Sequence, residues 1–139
     1  MASARRAGPQ TPQRLILDSG AVIALSRGDQ RARAFLARAQ ELGTPIEIPV
    51  VVLAETVRGG PRDASVSRVL KAVGSVPVAR EIHGRIAGQL LGAARSAATV
   101  DALVVAQAVE AGGAHILTGD REDLERLAIP HPEVWIHPL

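Results

Sequence analysis

Four carboxylates stand at the edges or in the interior of otherwise apolar segments: Asp18, Glu55, Asp101 and Asp120. Asp18 directly follows Leu15-Ile16-Leu17, and Asp120 follows Ile116-Leu117-Thr118 by two positions. Glu55 closes the run Val50-Val51-Val52-Leu53-Ala54, and Asp101 lies within Val100 to Val105. A carboxylate in such company is costly to desolvate unless it is paired or metal-bound. Grouped oxygen donors suit a hard divalent cation, Mg²⁺ or Mn²⁺, which keeps several waters and binds through a few carboxylates plus a substrate phosphate. Without the ion the acids would repel and raise one another's pKa. With it, water becomes a usable nucleophile near neutral pH, and phosphodiester hydrolysis becomes accessible chemistry.

Each acid also has an ordinary structural reading. Asp18 could cap a helix beginning at Ser19 or Gly20. Glu55 could pair with Arg58 at i,i+3. Asp101 could be an early-turn acid favoured by a helix dipole, and Asp120 and Asp123 could cap the last helix. Four separate readings of that kind are needed to explain acids that one fold would bring together.

The elements that must position these acids alternate along the chain. Short apolar runs at 15–17, 45–48, 114–118 and 134–136 read as strands. Helical spacing predicts helices over 21–26, 30–42, 50–58, 64–73, 81–95, 99–111 and 123–128, with Pro49 in a first turn and Gly43 as a stop. Val76-Pro77-Val78 reads as a short extended piece. The alternation implies an α/β fold, a three-layer sandwich with a mainly parallel central sheet flanked by helices, whose ligand site lies beyond the carboxyl ends of the strands. Asp18 and Asp120 then project into the same crevice.

The 139 residues suit one domain, expected over 14–139, after a flexible tail over 1–13 that is rich in Arg, Ala, Pro, Gln and Gly without apolar periodicity. Apolar residues make up 47% of the chain, but Phe35 and Trp135 are the only aromatics, so aliphatic side chains must fill the core. Cysteine is absent, which excludes disulfides, thiolate nucleophiles and zinc–thiolate sites. No apolar run reaches the length of a membrane span and residues 1–14 lack the apolar core of a secretory signal, so a cytoplasmic protein is expected. Arginine supplies 15 of the 16 basic residues, Lys71 being the exception, and the pI is about 10.3. That bias favours a phosphate-bearing partner or simply reflects an arginine-rich proteome.

Four segments, Leu17-Asp18-Ser19-Gly20-Ala21-Val22-Ile23-Ala24-Leu25, Val52-Leu53-Ala54-Glu55, Thr99-Val100-Asp101-Ala102-Leu103-Val104-Val105-Ala106, and Ile116-Leu117-Thr118-Gly119-Asp120-Arg121-Glu122-Asp123-Leu124, together resemble the PIN-domain family, in particular its VapC-type toxin nucleases. The resemblance extends over residues 14–139. It implies a metal-dependent endoribonuclease, the toxin of a type II toxin–antitoxin pair. Asp18, Glu55, Asp101 and Asp120 would be its catalytic and Mg²⁺- or Mn²⁺-binding acids, with Asp123 as a fifth. Ser19 and Thr118 match small hydroxyl positions beside the acids. Water would attack an RNA phosphodiester in line and leave 5′-phosphate and 3′-hydroxyl ends. The resemblance further implies a homodimer silenced by a small cognate antitoxin. One departure is Gly20, where the family more often carries a residue such as serine.

Other functional classes remain open on the residues alone. A solitary PIN nuclease that processes RNA would show the same motifs, and a DNA nuclease could use the same acids. A PIN-like module that binds RNA or a partner without cutting is disfavoured by the intact acids. A phospho-accepting receiver module would require a lysine near its acids, and Lys71 is far from the final strands. Arg27, Arg31 and Arg38 read as a solvated helix face, with Arg5, Arg6 and Arg14 near the N-terminus as further candidates for phosphate contact. The scarcity of aromatics argues against base stacking. His83, His115, His131 and His137 read as structural and scattered, and Trp135 as core.

Overall fold

The computed structural model describes residues 13–73 and 75–139. The tail expected over 1–13 therefore lies, apart from Gln13, outside the described residues, as do Arg5 and Arg6. Eleven elements follow in the order β1 (Arg14–Leu17), α1 (Ser19–Ser26), α2 (Gln30–Glu41), β2 (Ile46–Glu47), α3 (Val50–Thr56), α4 (Asp63–Val73), α5 (Glu81–Ala94), α6 (Thr99–Glu110), β3 (Ala114–Thr118), α7 (Arg121–Leu127) and β4 (Val134–Pro138).

The sheet order is β2-β1-β3-β4 and every pairing is parallel. All four strands therefore end on the same side, and connections between them must cross over through helices. Leu15, Ile16, Leu17, Ile116 and Leu117 are buried on both faces of the sheet, as apolar runs without alternation require. Each such side chain contributes about 1.5–3 kcal/mol by leaving water. α6 covers one face: Gln107 donates to Glu47 Oε1 at 3.0 Å, and Glu47 stands opposite Ile16 in the register. α5 packs on the outside of α6. The opposite face, which carries Leu15, His115 and His137, is covered by α2 through Phe35 and Ala39.

Several boundaries differ from the sequence expectation for identifiable reasons. α1 begins at Ser19, immediately after Asp18, and α7 begins at Arg121 because Asp120 Oδ1 accepts from the Glu122 N–H at 3.3 Å. Pro49 precedes α3 as its cap at φ −62° instead of lying inside its first turn. Residues 76–78 join no strand; Ile48 N–H reaches Ser75 O at 2.9 Å, but Pro77 has no N–H to continue a ladder. Arg14 is the first residue of β1 and pairs with Glu47 across the strands.

Candidate active site

The buried member of the acidic set is Asp18, 5% exposed, at the carboxyl end of β1. Its backbone is held from both sides, since Asp18 N–H donates to Leu117 O at 3.0 Å and Asp18 O accepts from Val22 N–H at 3.0 Å. Its side chain makes no capping bond to α1, so the capping alternative does not account for it. The Thr118 hydroxyl donates to Asp18 Oδ2 at 2.9 Å and accepts from the Asp120 N–H at 3.0 Å. One hydroxyl thus ties the acid after β1 to the acid after β3. Asp18 Oδ1 is buried and has no hydrogen-bond partner.

The two turns meet without side chains between them. A Cβ on Gly20 would stand 2.7 Å from Gly119 N and 2.9 Å from Gly119 Cα, so glycine at position 20 is what lets the start of α1 sit against the β3–α7 turn. Ser19 supports Asp18 through its backbone N–H; among the described residues its hydroxyl, the group expected to help, forms no hydrogen bond.

Asp101 is half-buried in the first turn of α6, where a helix N-terminus favours an acid. Glu55 on α3, Asp120 as the cap of α7 and Asp123 in its first turn are exposed. Glu55 therefore does not carry the desolvation its apolar neighbours suggested. Its expected i,i+3 pairing with Arg58 is also missing: the Arg58 guanidinium donates instead to Ala54 O at 2.6 Å.

The acids share one electrostatic environment. Asp101 is pushed up to about 6, first by burial and then by the charges of Asp18, Asp123, Glu55 and Asp120. Asp18 is raised chiefly by burial; the Ser19 N–H and the Thr118 hydroxyl oppose this, and Glu55 and Asp120 add to it. Asp18, Glu55, Asp120 and Asp123 thus all stand close enough to Asp101 to act on its charge. Among the described residues no three carboxylates or imidazoles close tightly around one point. Asp18 is buried and held by its hydrogen bonds, Asp101 is half-buried, and Glu55, Asp120 and Asp123 are exposed. An unpartnered buried carboxylate oxygen, neighbouring acids whose charges raise Asp18 and Asp101, and a donor set made of oxygen all fit a hard divalent cation.

The histidines divide. His83 is buried with both nitrogens engaged, Nδ1 accepting from Arg80 N–H at 3.0 Å and Nε2 facing Glu110 at 3.2 Å, as its structural reading expected. His115 and His137, expected to be scattered, converge instead, because the register of the parallel β3 and β4 puts both on the α2 face. Trp135 is 41% exposed, not core, since β4 is the edge strand. Arg27, Arg31 and Arg38 are solvated as expected, although Arg27 lies beyond the end of α1.

In comparison with known proteins, the PIN domain matches over residues 15–130. No curated protein matches the sequence. Among solved structures, VapBC2 from Rickettsia felis bound to a DNA fragment from their promoter is similar at 14% identity with a TM-score of 0.72, covering 90% of this chain and 98% of that one. A toxin–antitoxin complex from Klebsiella pneumoniae is similar at 16% identity and TM-score 0.68, covering 90% and 99%. FitAcB from Neisseria gonorrhoeae follows at 17% identity and TM-score 0.61, covering 88% and 95%.

Proposed function

We propose, on the premise that the chain belongs to the PIN-domain family, a family of nucleases, that it is a Mg²⁺- or Mn²⁺-dependent endoribonuclease and the toxin of a toxin–antitoxin pair. The observation that carries this reading is Asp18: buried at a strand end, one oxygen held by Thr118 and the other unpartnered, in the field of Glu55, Asp120 and Asp101. Such a carboxyl is relieved by a proton or by a cation, and a divalent cation neutralises several of the acids at once.

Asp18, Asp101, Glu55 and Asp120 would hold the ion, with Asp123 in support. When bound, a divalent cation supplies positive charge to the phosphate undergoing attack and lowers the pKa of a water it holds. Thr118 fixes the orientation of Asp18 and the turn that presents Asp120. Asp101 and Glu55 approach from α6 and α3, so the acids converge from elements on different sides of the cleft. Backbone phosphate contact, not base stacking, is the mode of substrate binding that fits an arginine-rich and nearly aromatic-free chain.

The toxin reading draws support from the three similar structures, which match this chain over 88–90% of its length and one of which is described as a toxin–antitoxin complex. A small antitoxin and a second copy of the chain are the proposed partners. Purified protein incubated with total RNA and with short single-stranded RNA and DNA, with Mg²⁺, with Mn²⁺ or with EDTA, tests the enzyme. RNA cut only with metal, and not by folded Asp18→Asn or Asp101→Asn variants, is the expected result. Cutting of DNA alone would replace the substrate, and no cutting after removal of co-purified inhibitor would leave a non-cutting binding module.

A further inference from the structure

On the α2 face of the sheet, apart from the acidic cleft, two imidazoles meet. His115 Nδ1 and His137 Nε2 are 2.7 Å apart, with ring centroids at 4.9 Å and planes inclined by 28°. The nitrogens point at each other and share one proton. They line a half-open cavity of about 210 Å³ together with Phe35, Leu42, Thr44 and Arg38. Arg38, the charged side chain on this wall, is turned to Glu41 at 3.3 Å. Phe35 lies against His137 at 4.9 Å, and Trp135 lies over His115 at 6.0 Å.

We propose that His115 and His137 form a two-imidazole site for a borderline transition-metal ion, Cu²⁺ or Ni²⁺, independent of the acidic cleft and of the nuclease reading. Two nitrogens each about 2.0 Å from one ion and at right angles to each other stand about 2.8 Å apart. That is close to the separation already present, whereas a tetrahedral ion would spread them to about 3.3 Å. Square-planar ions with imidazole donors are Cu²⁺ and Ni²⁺, and Mg²⁺ prefers oxygen. Rotation of each ring about its outer side-chain bond turns the two lone pairs from each other toward a common point in the cavity. The donor ring shifts the shared proton to its other nitrogen, so each neutral imidazole offers one lone pair to the ion, and the open side of the cavity lets water take the remaining positions.

Burial lowers the pKa of both rings, His137 with the further influence of His115, so ligation competes with fewer protons. Among the described residues no third imidazole or carboxylate joins the pair. The site is therefore a two-ligand one that bridges β3 to the edge strand β4.

Trp135, the only tryptophan in the chain, supplies the measurement. Metal-stripped protein lacking any polyhistidine tag is titrated with CuCl₂ or NiCl₂ while its tryptophan fluorescence is followed, since these ions with incompletely filled d shells quench an indole at contact distance. Quenching that saturates at one equivalent, is reversed by EDTA and persists in Asp18→Asn is the expected result. His115→Gln and His137→Gln should each weaken it at least about tenfold. The electron paramagnetic resonance spectrum of the wild-type protein with one equivalent of Cu²⁺ should show nitrogen coupling from two imidazoles, a readout that needs no variant. Non-saturating quenching, equal quenching in both glutamine variants, or a spectrum with oxygen ligands only would overturn the proposal.

Discussion

Thr118 and Asp18 are 100 positions apart in sequence, and the Thr118 hydroxyl donates to Asp18 Oδ2 at 2.9 Å in the interior of the protein. The contact exists because β1 and β3 are parallel neighbours in register, Leu17 opposite Leu117, so the next residue of each strand emerges at the same height. The sheet aligns the strand ends, and the hydroxyl then fixes which way the buried carboxylate faces. Oδ1 is left buried without a partner.

Replacing Thr118 with valine keeps the shape and removes the hydroxyl. Asp18 Oδ2 and the Asp120 N–H both lose a partner, a cost of about 1–3 kcal/mol for buried polar groups left unpaired. Urea unfolding should show that loss, and metal-dependent cleavage should fall with it. Thr118→Ser should restore most of both. Valine as stable as the wild type would show that the hydroxyl does not orient Asp18.

The raised pKa of Asp101 predicts an inverted pH dependence for the metal-free protein. A carboxyl with a higher pKa folded than unfolded contributes its full stability below the unfolded value and loses it as pH rises through about 6. Melting temperature in EDTA should therefore fall between about pH 4 and about pH 6.5. Added Mg²⁺ should raise it again, and by more at the higher pH, where the acids are charged. Asp101→Asn should flatten the EDTA profile; an unchanged slope in that variant would assign the effect elsewhere.

The alternation of elements was legible because buried parallel strands are short apolar runs and their connecting helices carry a 3.6-residue period, and β1, β3 and α6 were located within a residue or two. The convergence of Asp18 with Asp120 followed from the strand-end rule alone. What periodicity does not carry is register and lateral position. His115 and His137 look scattered when only their spacing is known, and meet only because Ala114 pairs with Val134. Trp135 reads as core by type, but β4 lies at the sheet edge, a fact of strand order. The close approach at Gly20 was likewise hidden, because a glycine beside a strand end has many possible causes.

On the β2 edge of the sheet, Glu47 is buried between Arg14 and Gln107, which donates to it at 3.0 Å. Removing Arg14 leaves that carboxylate with one neutral donor. Arg14→Ala should cost about 1 kcal/mol, the modest figure that a half-exposed arginine warrants, and should leave cleavage unchanged at temperatures where the variant is folded. Arg14→Ala with Glu47→Gln should recover part of the loss. Reduced cleavage by the folded single variant would link this end of the sheet to catalysis.

Gly20 and Gly119 provide a paired test of how the cleft is built. A Cβ at position 20 would meet the backbone of Gly119 at 2.7 and 2.9 Å, closer than any side chain tolerates, and backbone cannot rotate away as a flexible side chain can. A Cβ at position 119 meets Gly20 Cα at 3.4 Å and C at 3.9 Å, which is ordinary contact. Gly20→Ala must therefore push the start of α1 away from the β3–α7 turn, and an overpacking of this kind costs about 1–3 kcal/mol. Gly119→Ala, similar in chemistry, should change stability by no more than about 0.5 kcal/mol. Because the same displacement separates Asp18 from Asp120, Gly20→Ala should also lose affinity for Mg²⁺ in a thermal-shift titration, whereas Gly119→Ala should retain it. Equal behaviour of the two variants would mean that the turns can part without cost, and that Thr118 alone holds the two acids together.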